Sequence, residues 1–265
     1  LDIRHGSALT CSQVITSGDD YGIVNGSDCV VITAGLRRKP DESRLELINR
    51  NVGLFKQILD SLKGCKLADG ATILVVSNPV DILTHLAIST DILPSSQILG
   101  LGTVLDTCRF RSLLADHFKV GAKDVKALIL GEHGDSMVPI WSSAAIGGVS
   151  LASIPGFDQA TADAVFDFTK KSGAEVIRLK GGAGRAVGVS IKEVVESMAL
   201  DQGAVLPVSA LQNGAHGIKD ISLSMPTVVG RNGIVSILEP DVSEFEKVAL
   251  QKSAQALKDV WAQIQ

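Results

Sequence analysis

The sequence predicts an α/β fold, a parallel sheet followed by a mixed α+β region, and three observations carry that expectation. Two β-branched runs, Asp28-Cys29-Val30-Val31-Ile32-Thr33-Ala34-Gly35 and Ala71-Thr72-Ile73-Leu74-Val75-Val76-Ser77-Asn78, read as buried strands. Between them, apolar residues recur at helical spacing. After Gly102 the regular alternation of strand and helix stops. Alternation demands a parallel sheet, because a crossover helix returns the chain to the end of the sheet from which it started.

Taken in order, the first run is a strand. Leu45, Ile48, Val52, Phe55, Leu59 and Leu62 then form the apolar stripe of a helix of about five turns, with Gly64 as its stop. The second run is the next strand. A helix over 81–90 follows the turn at Pro79, and 97–100 is a short third strand. Beyond Gly102 a helix capped near Asp106 reaches about Phe118, and a strand over 125–130 leads into the turn 131–136. Helical spacing returns at 158–180 and 187–199. Strand-like stretches follow at 206–211 and 221–238, the second with Arg231-Asn232-Gly233 as a hairpin turn. A helix over 242–264 closes the chain, with Ser243 and Glu246 at capping-box spacing. The boundary falls near Gly100, giving regions 1–100 and 101–265 that pack as one unit.

The totals exclude several classes. At 265 residues and 45% hydrophobic, the chain buries one large core or two modest ones. A net charge of -4, with no like-charge run beyond Arg37-Arg38-Lys39, argues against nucleic-acid or anionic-membrane partners. No apolar stretch approaches the roughly 18 residues that span a bilayer. The N-terminus lacks a signal pattern, so a cytoplasmic location is expected. Cys11, Cys29, Cys65 and Cys108 are far apart and show no zinc spacing, so no metal is expected and the four read as buried thiols. The chain opens Leu1-Asp2-Ile3-Arg4-His5 as though in mid-element, which predicts a segment upstream.

Four places could carry chemistry. His133, flanked by Gly131 and Gly134 at a strand end, has an accessible ring suited to proton exchange, but a turn histidine without function is an equal reading. Asp106 and Arg109 lie on one helix face, where the carboxylate could orient a histidine and the guanidinium could grip a carboxylate; a surface pair and cap is the plainer alternative. The segment 36–44 follows a strand end, where open α/β sheets place ligands, and reads as an anion-seeking lid or a solvated basic loop. Asn78 could point its amide into the same crevice or sit in an ordinary Asn-Pro turn.

Thr33-Ala34-Gly35, Glu42-Ser43-Arg44-Leu45, Ser77-Asn78-Pro79-Val80-Asp81, Leu105-Asp106-Thr107-Cys108-Arg109-Phe110-Arg111 and Gly131-Glu132-His133-Gly134-Asp135-Ser136 occur together and in this order. With them the chain resembles the L-lactate/L-malate dehydrogenase family over essentially every residue. The resemblance implies a truncated Rossmann-type parallel sheet followed by an α+β catalytic and substrate domain. It implies NAD as cofactor, a small 2-hydroxy or 2-oxo acid as substrate, and a homodimer or homotetramer.

On that resemblance His133 is the proton donor and acceptor, Asp106 stabilises its imidazolium, and Arg109 binds the substrate carboxylate bidentately. Arg44, on the lid, polarises the C2 carbonyl, and Asn78 holds the substrate oxygen. Ala34 and Gly35 lie against the cofactor backbone, with Val76 and Asn78 on the nicotinamide side. Arg38 falls where malate dehydrogenases resemble one another in having arginine and lactate dehydrogenases in having glutamine. Buried against a methyl group, an unpaired cation there costs several kcal/mol. Ala183 matches a position that is small in malate-type enzymes and threonine in lactate-type ones. Glu42, Gly102-Thr103 and Glu132 look like the lactate branch, and Arg185 sits where an aromatic residue is expected. The balance favours malate and oxaloacetate over lactate and pyruvate. Leu128 stands where fructose-bisphosphate-activated bacterial relatives have a histidine to pair with an arginine like Arg111, which implies no such activation.

The family's G-x-G-x-x-G turn, and the acidic residue roughly 20 positions later that reads the ribose, have no counterpart in the chain. Two readings follow. One is a dehydrogenase whose N-terminal segment lies outside this sequence, and the five motifs favour it. The other is a cofactor-binding-deficient relative that acts as an oligomerising or substrate-binding module.

Overall fold

The computed structural model describes residue 5 and residues 14–36 and 44–264, with the side chain of residue 44 outside that set. In chain order the elements are β1 (Cys29–Ile32), α1 (Arg44–Lys63), β2 (Thr72–Val75), α2 (Val80–Ser89), β3 (Ile98–Gly100), α3 (Val104–Phe118), β4 (Val125–Leu130), β5 (Val138–Ile146) and β6 (Val149–Ser150). They continue with α4 (Gln159–Lys180), α5 (Gly184–Ala199), β7 (Ala204–Leu206), β8 (Ser209–Asn213), β9 (Lys219–Ser224), β10 (Thr227–Gly230), β11 (Gly233–Ile237) and α6 (Glu244–Ile264).

β1, β2 and β3 pair in parallel, aligning Ile32 with Val75 and Val75 with Gly100. All four residues of β2 are buried, as a strand covered on both faces requires. The stripe predicted for α1 packs as read except at its first member, since Leu45 is exposed: Ile48, Val52, Phe55, Leu59 and Leu62 join Ile32, Ile73 and Val75 in one core. Burying each such large side chain stabilises the fold by roughly 1.5–3 kcal/mol. A second core joins Leu250, Ala254 and Leu257 of α6 to Ile221 and Leu223 of β9 and to Ile82 of α2. Among the described residues no helix is long and apolar enough to cross a membrane.

The parallel sheet does not stop at Gly100. β3 pairs antiparallel with β8 through Gly100 and Ser209, giving a five-stranded sheet in the order β1-β2-β3-β8-β9. Gly102, at φ +54°, turns the chain out of that sheet into α3. A methyl group there would lie 2.5 Å from Ser209 N and closer still to Ser224 Oγ. Gly102→Ala therefore combines a backbone conformation disfavoured for L-residues with overpacking, and the expected loss is about 3 kcal/mol or more. Denaturant unfolding checks this; a loss below about 1 kcal/mol contradicts it.

Several boundaries differ from the sequence reading. α3 starts at Val104, with Thr103 at its N-cap, so Asp106 is not a cap but lies buried in the first turn. The Thr103 hydroxyl donates to Ile129 O at 2.5 Å and ties α3 to β4. α5 starts three residues earlier than its spacing suggested. The stretch 206–211 divides between β7 and β8, which join different sheets with Pro207 between them. The stretch 221–238 is three strands, broken at Pro226 and at the predicted hairpin between β10 and β11. β5 was not legible at all. Cys108 is exposed and Cys29 and Cys65 are partly so, not buried as expected, while Cys11 lies outside the described residues. The capping box is present: Glu246 Oε2 accepts from Ser243 N at 2.8 Å, and its Oε1 accepts from Trp141 N at 2.6 Å, binding α6 to β5.

Candidate active site

The turn between β4 and β5 is clamped through three consecutive amides. Gly131, at φ +83°, exchanges both backbone bonds with Ser224 of β9 at 2.9 Å. Glu132 N donates to Ser253 Oγ of α6 at 2.8 Å, and His133 N donates to Asp81 Oδ2 of α2 at 2.7 Å. A methyl group at position 131 would come within 2.7 Å of Ser253 Oγ, so both close packing and φ require glycine there. His133 is thus held by three elements before its ring makes any contact.

The ring then meets α3. His133 Nδ1 lies 2.5 Å from Asp106 Oδ2, and Arg109 Nη1 donates to Asp106 Oδ1 at 2.8 Å. The Asp106 side chain is 1% exposed, that of Arg109 17% and that of His133 27%, so the carboxylate is enclosed while the imidazole reaches solvent. Burial pushes the Asp106 carboxyl up, but the charges and hydrogen bonds of His133 and Arg109 outweigh it and hold the group below its ordinary range. Burial lowers His133, whereas the Asp106 charge and hydrogen bond, with Asp81 beyond, raise it against Arg109, and the net direction is up. With Nδ1–H committed to Asp106, Nε2 is the nitrogen left to exchange a proton.

His133 lines a cavity of about 620 Å³ at the C-terminal ends of β1 and β2. Gly35, Val76 and Asn78 line it from the strand ends, and Ala183 from the start of α5. The crevice wall is tied down locally. Ser77 Oγ donates to Ala34 O at 2.5 Å, and Leu36 N donates to Asn51 Oδ1 of α1 at 2.7 Å. The Asn78–Pro79 peptide is cis, and the exposed Asn78 accepts from Val80 N at 3.3 Å through Oδ1.

Of the residues expected from sequence, His133, Asp106 and Arg109 form one bonded chain, while Gly35, Val76, Asn78 and Ala183 share the cavity with His133. Ala34 is exposed on the strand end beside them. Arg109 faces an adjoining cavity of about 450 Å³, whose lining also includes Ala183. Gly173 of α4 lies beside it, where an added methyl group would stand in ordinary contact, 3.5 Å from both terminal guanidinium nitrogens. Arg38 lies outside the described residues, and Arg44 begins α1 with its side chain outside them. Two residues were missed, Asp81 and Ser253. Asp81 carried a signal, being an acid at the start of an otherwise strongly apolar helix.

A family model described as lactate/malate dehydrogenase, NAD binding domain, matches residues 1–100. The alpha/beta C-terminal domain of the same family matches residues 103–265. The chain is 40% identical over 264 residues to L-lactate dehydrogenase 1 of Clostridium acetobutylicum, covering 98% of this chain and 83% of that protein. It is 42% identical over 265 residues to L-lactate dehydrogenase A of Hordeum vulgare, covering 97% and 74%. Among solved structures, the ligand-bound minor L-lactate dehydrogenase of Enterococcus mundtii superposes with a TM-score of 0.95 at 32% identity, covering 100% of this chain and 85% of that one.

Proposed function

Since the chain belongs to the lactate/malate dehydrogenase family, we propose that it transfers hydride between NAD and a small 2-hydroxy or 2-oxo acid, with His133 as the acid/base. The observation that carries this reading is the bonded chain His133–Asp106–Arg109, whose histidine lines the cavity on the parallel strand ends and whose arginine faces the adjoining one. The cavity suits the nicotinamide side of the cofactor, having small or apolar Gly35 and Val76 on its wall and polar Asn78 and His133 beside them. Ala34, Gly35, Val76 and Asn78 would hold that side. When bound, NAD supplies or accepts the hydride at the carbon that bears the oxygen.

The chain's own residues handle charge and orientation. In reduction, His133 Nε2–H donates to the substrate oxygen as negative charge develops there, and Asp106 stabilises the imidazolium until the proton leaves. In oxidation the neutral ring accepts the same proton. Arg109 has one nitrogen on Asp106, and its remaining N–H groups can grip the substrate carboxylate. The Asn78 amide orients the oxygen. Arg44 and Arg38 join the site on the resemblance alone.

The names of the relatives favour pyruvate and L-lactate as the substrate pair. The sequence-based leaning toward malate draws no support from those names. Oxaloacetate and malate remain a second reading, favoured by the small Ala183 on the cavity wall and by Arg38. We take the working form to be a cytoplasmic homodimer or homotetramer, which would cover the exposed Phe168, Ile177 and Leu179 of α4. NADH oxidation with each oxo acid tests the proposal. The expected result is a higher kcat/KM for pyruvate than for oxaloacetate. The reverse order selects the second reading, and no oxidation with either by the protein that carries the family's G-x-G-x-x-G turn as well defeats the dehydrogenase assignment.

A further inference from the structure

Asp81 is a buried acid that the mechanism above leaves without a role. It is 2% exposed in the first turn of α2, between Val80 and Ile82. Its Oδ2 accepts from His133 N, while its Oδ1 has no hydrogen-bond partner among the described residues. The adjacent Ser209 hydroxyl favours the ionised form, yet no hydrogen bond closes between them, and Ser209 Oγ is likewise without a partner. Accepting one amide proton needs no charge. A neutral asparagine would do it without the cost of desolvating a carboxylate whose second oxygen stays unsatisfied. The acid therefore calls for an electrostatic reason.

The surroundings of His133 supply one. The charged groups acting on it are Asp106 and Arg109 from α3 and Asp81 from α2, while Glu132 of its own turn acts on Asp81. β9 and α6 contribute a backbone bridge at Gly131 and the Ser253 hydroxyl. Arg109 opposes a positive imidazole while Asp106 and Asp81 favour it. We propose that Asp81 is a positioning residue for the acid/base centre, anchoring the His133 amide to α2 and adding a second fixed negative charge that offsets Arg109. The α2 N-terminus favours an anion at this position. Burial pushes the Asp81 carboxyl up to about 6, against the pull of the Ser209 hydroxyl and the His133 amide, so it is mostly ionised at neutral pH. The inference rests on His133 being the acid/base, but its test needs neither cofactor nor turnover.

The test is an NMR titration of the histidine rings in the full chain, with the His133 signal assigned by its loss in His133→Asn. Asp81→Asn keeps the shape and an acceptor for the amide but removes the charge. The expected result is a His133 midpoint displaced to lower pH. Where the enzyme turns over, the loss of oxo acid reduction with rising pH moves down in parallel. Asp81→Ala, which also removes the acceptor, is expected to lower kcat about tenfold while KM for the oxo acid stays within about twofold. Should Asp81→Asn not fold, Ser209→Ala weakens the ionised form of Asp81 without touching the turn, and a smaller displacement in the same direction is expected. A His133 midpoint equal to or above that of the wild type, in whichever of these two variants folds, overturns the proposal. A wild-type protein that never oxidises NADH would defeat the dehydrogenase reading and leave the titration to decide this one separately.

Discussion

His133→Asn is expected to lower kcat for oxo acid reduction by about 10²- to 10⁴-fold, the range that a positioned acid/base contributes, with the fold retained. Asparagine can still donate to Asp106 from a side-chain amide, so the buried carboxylate keeps a partner, but no proton can be exchanged with substrate. The wild type adds a signature in pH. Its raised imidazole must be protonated for reduction, so activity is full at low pH and is lost as pH rises through the folded value, which lies above 6.5. Stability follows the same sign. The His133–Asp106 pairing contributes fully below pH 6.5 and is lost above the folded value, so the stability gap between wild type and His133→Asn narrows as pH rises. Steady-state kinetics and unfolding over a pH series check both statements; retained turnover removes His133 from the mechanism.

Arg109→Ala is the second large effect. A charge-assisted, two-pronged grip on a carboxylate has strength comparable to a buried ion pair, where removing one partner costs about 2–5 kcal/mol. KM for the oxo acid should therefore rise about 10²- to 10³-fold, with a smaller change in kcat. Arg109→Lys should recover little of this, because a lysine restores charge without the planar fork. The histidine titration supplies a second readout. Arg109 opposes the charged imidazole, so its removal should move the His133 midpoint up, opposite to Asp81→Asn. A KM within about threefold of wild type would show that Arg109 only braces Asp106.

Much of the fold was legible because local signals and tertiary packing agree. The runs at β1 and β2 are β-branched and buried, and the stripe of α1 meets them at its own spacing. Ser243 and Glu246 mark the start of α6 by a bond between neighbours three apart in sequence. β5 was hidden because it is half covered: Pro139 interrupts it, and Ser142 and Ser143 are exposed in its middle. Asp106 resembles an N-cap residue by type. The start of α3 is set instead by Gly102, whose conformation depends on β8 and β9 more than a hundred residues downstream.

The site divides in the same way. Each member of the chain His133–Asp106–Arg109 was suspect from its residue type, but the bond between positions 27 apart lay beyond any spacing rule and came only through family resemblance. Asp81 was quoted within a motif without a role. Its function is expressed through the amide of a residue 52 positions away, where no side-chain pattern points. Pairing of β3 with β8 was hidden for a similar reason, since a single aligned pair, Gly100 and Ser209, joins strands more than a hundred residues apart.

The most direct measurement of the central claim follows the hydride itself. NADH deuterated at the transferring position of nicotinamide C4 is incubated with pyruvate and the protein carrying this chain together with the family's G-x-G-x-x-G turn, and the product is read by NMR. The account predicts deuterium at C2 of a 2-hydroxy acid, formed by wild type and at least about a hundredfold more slowly by His133→Asn. Deuterium absent from C2 of the product, or equal rates for the two proteins, would contradict it.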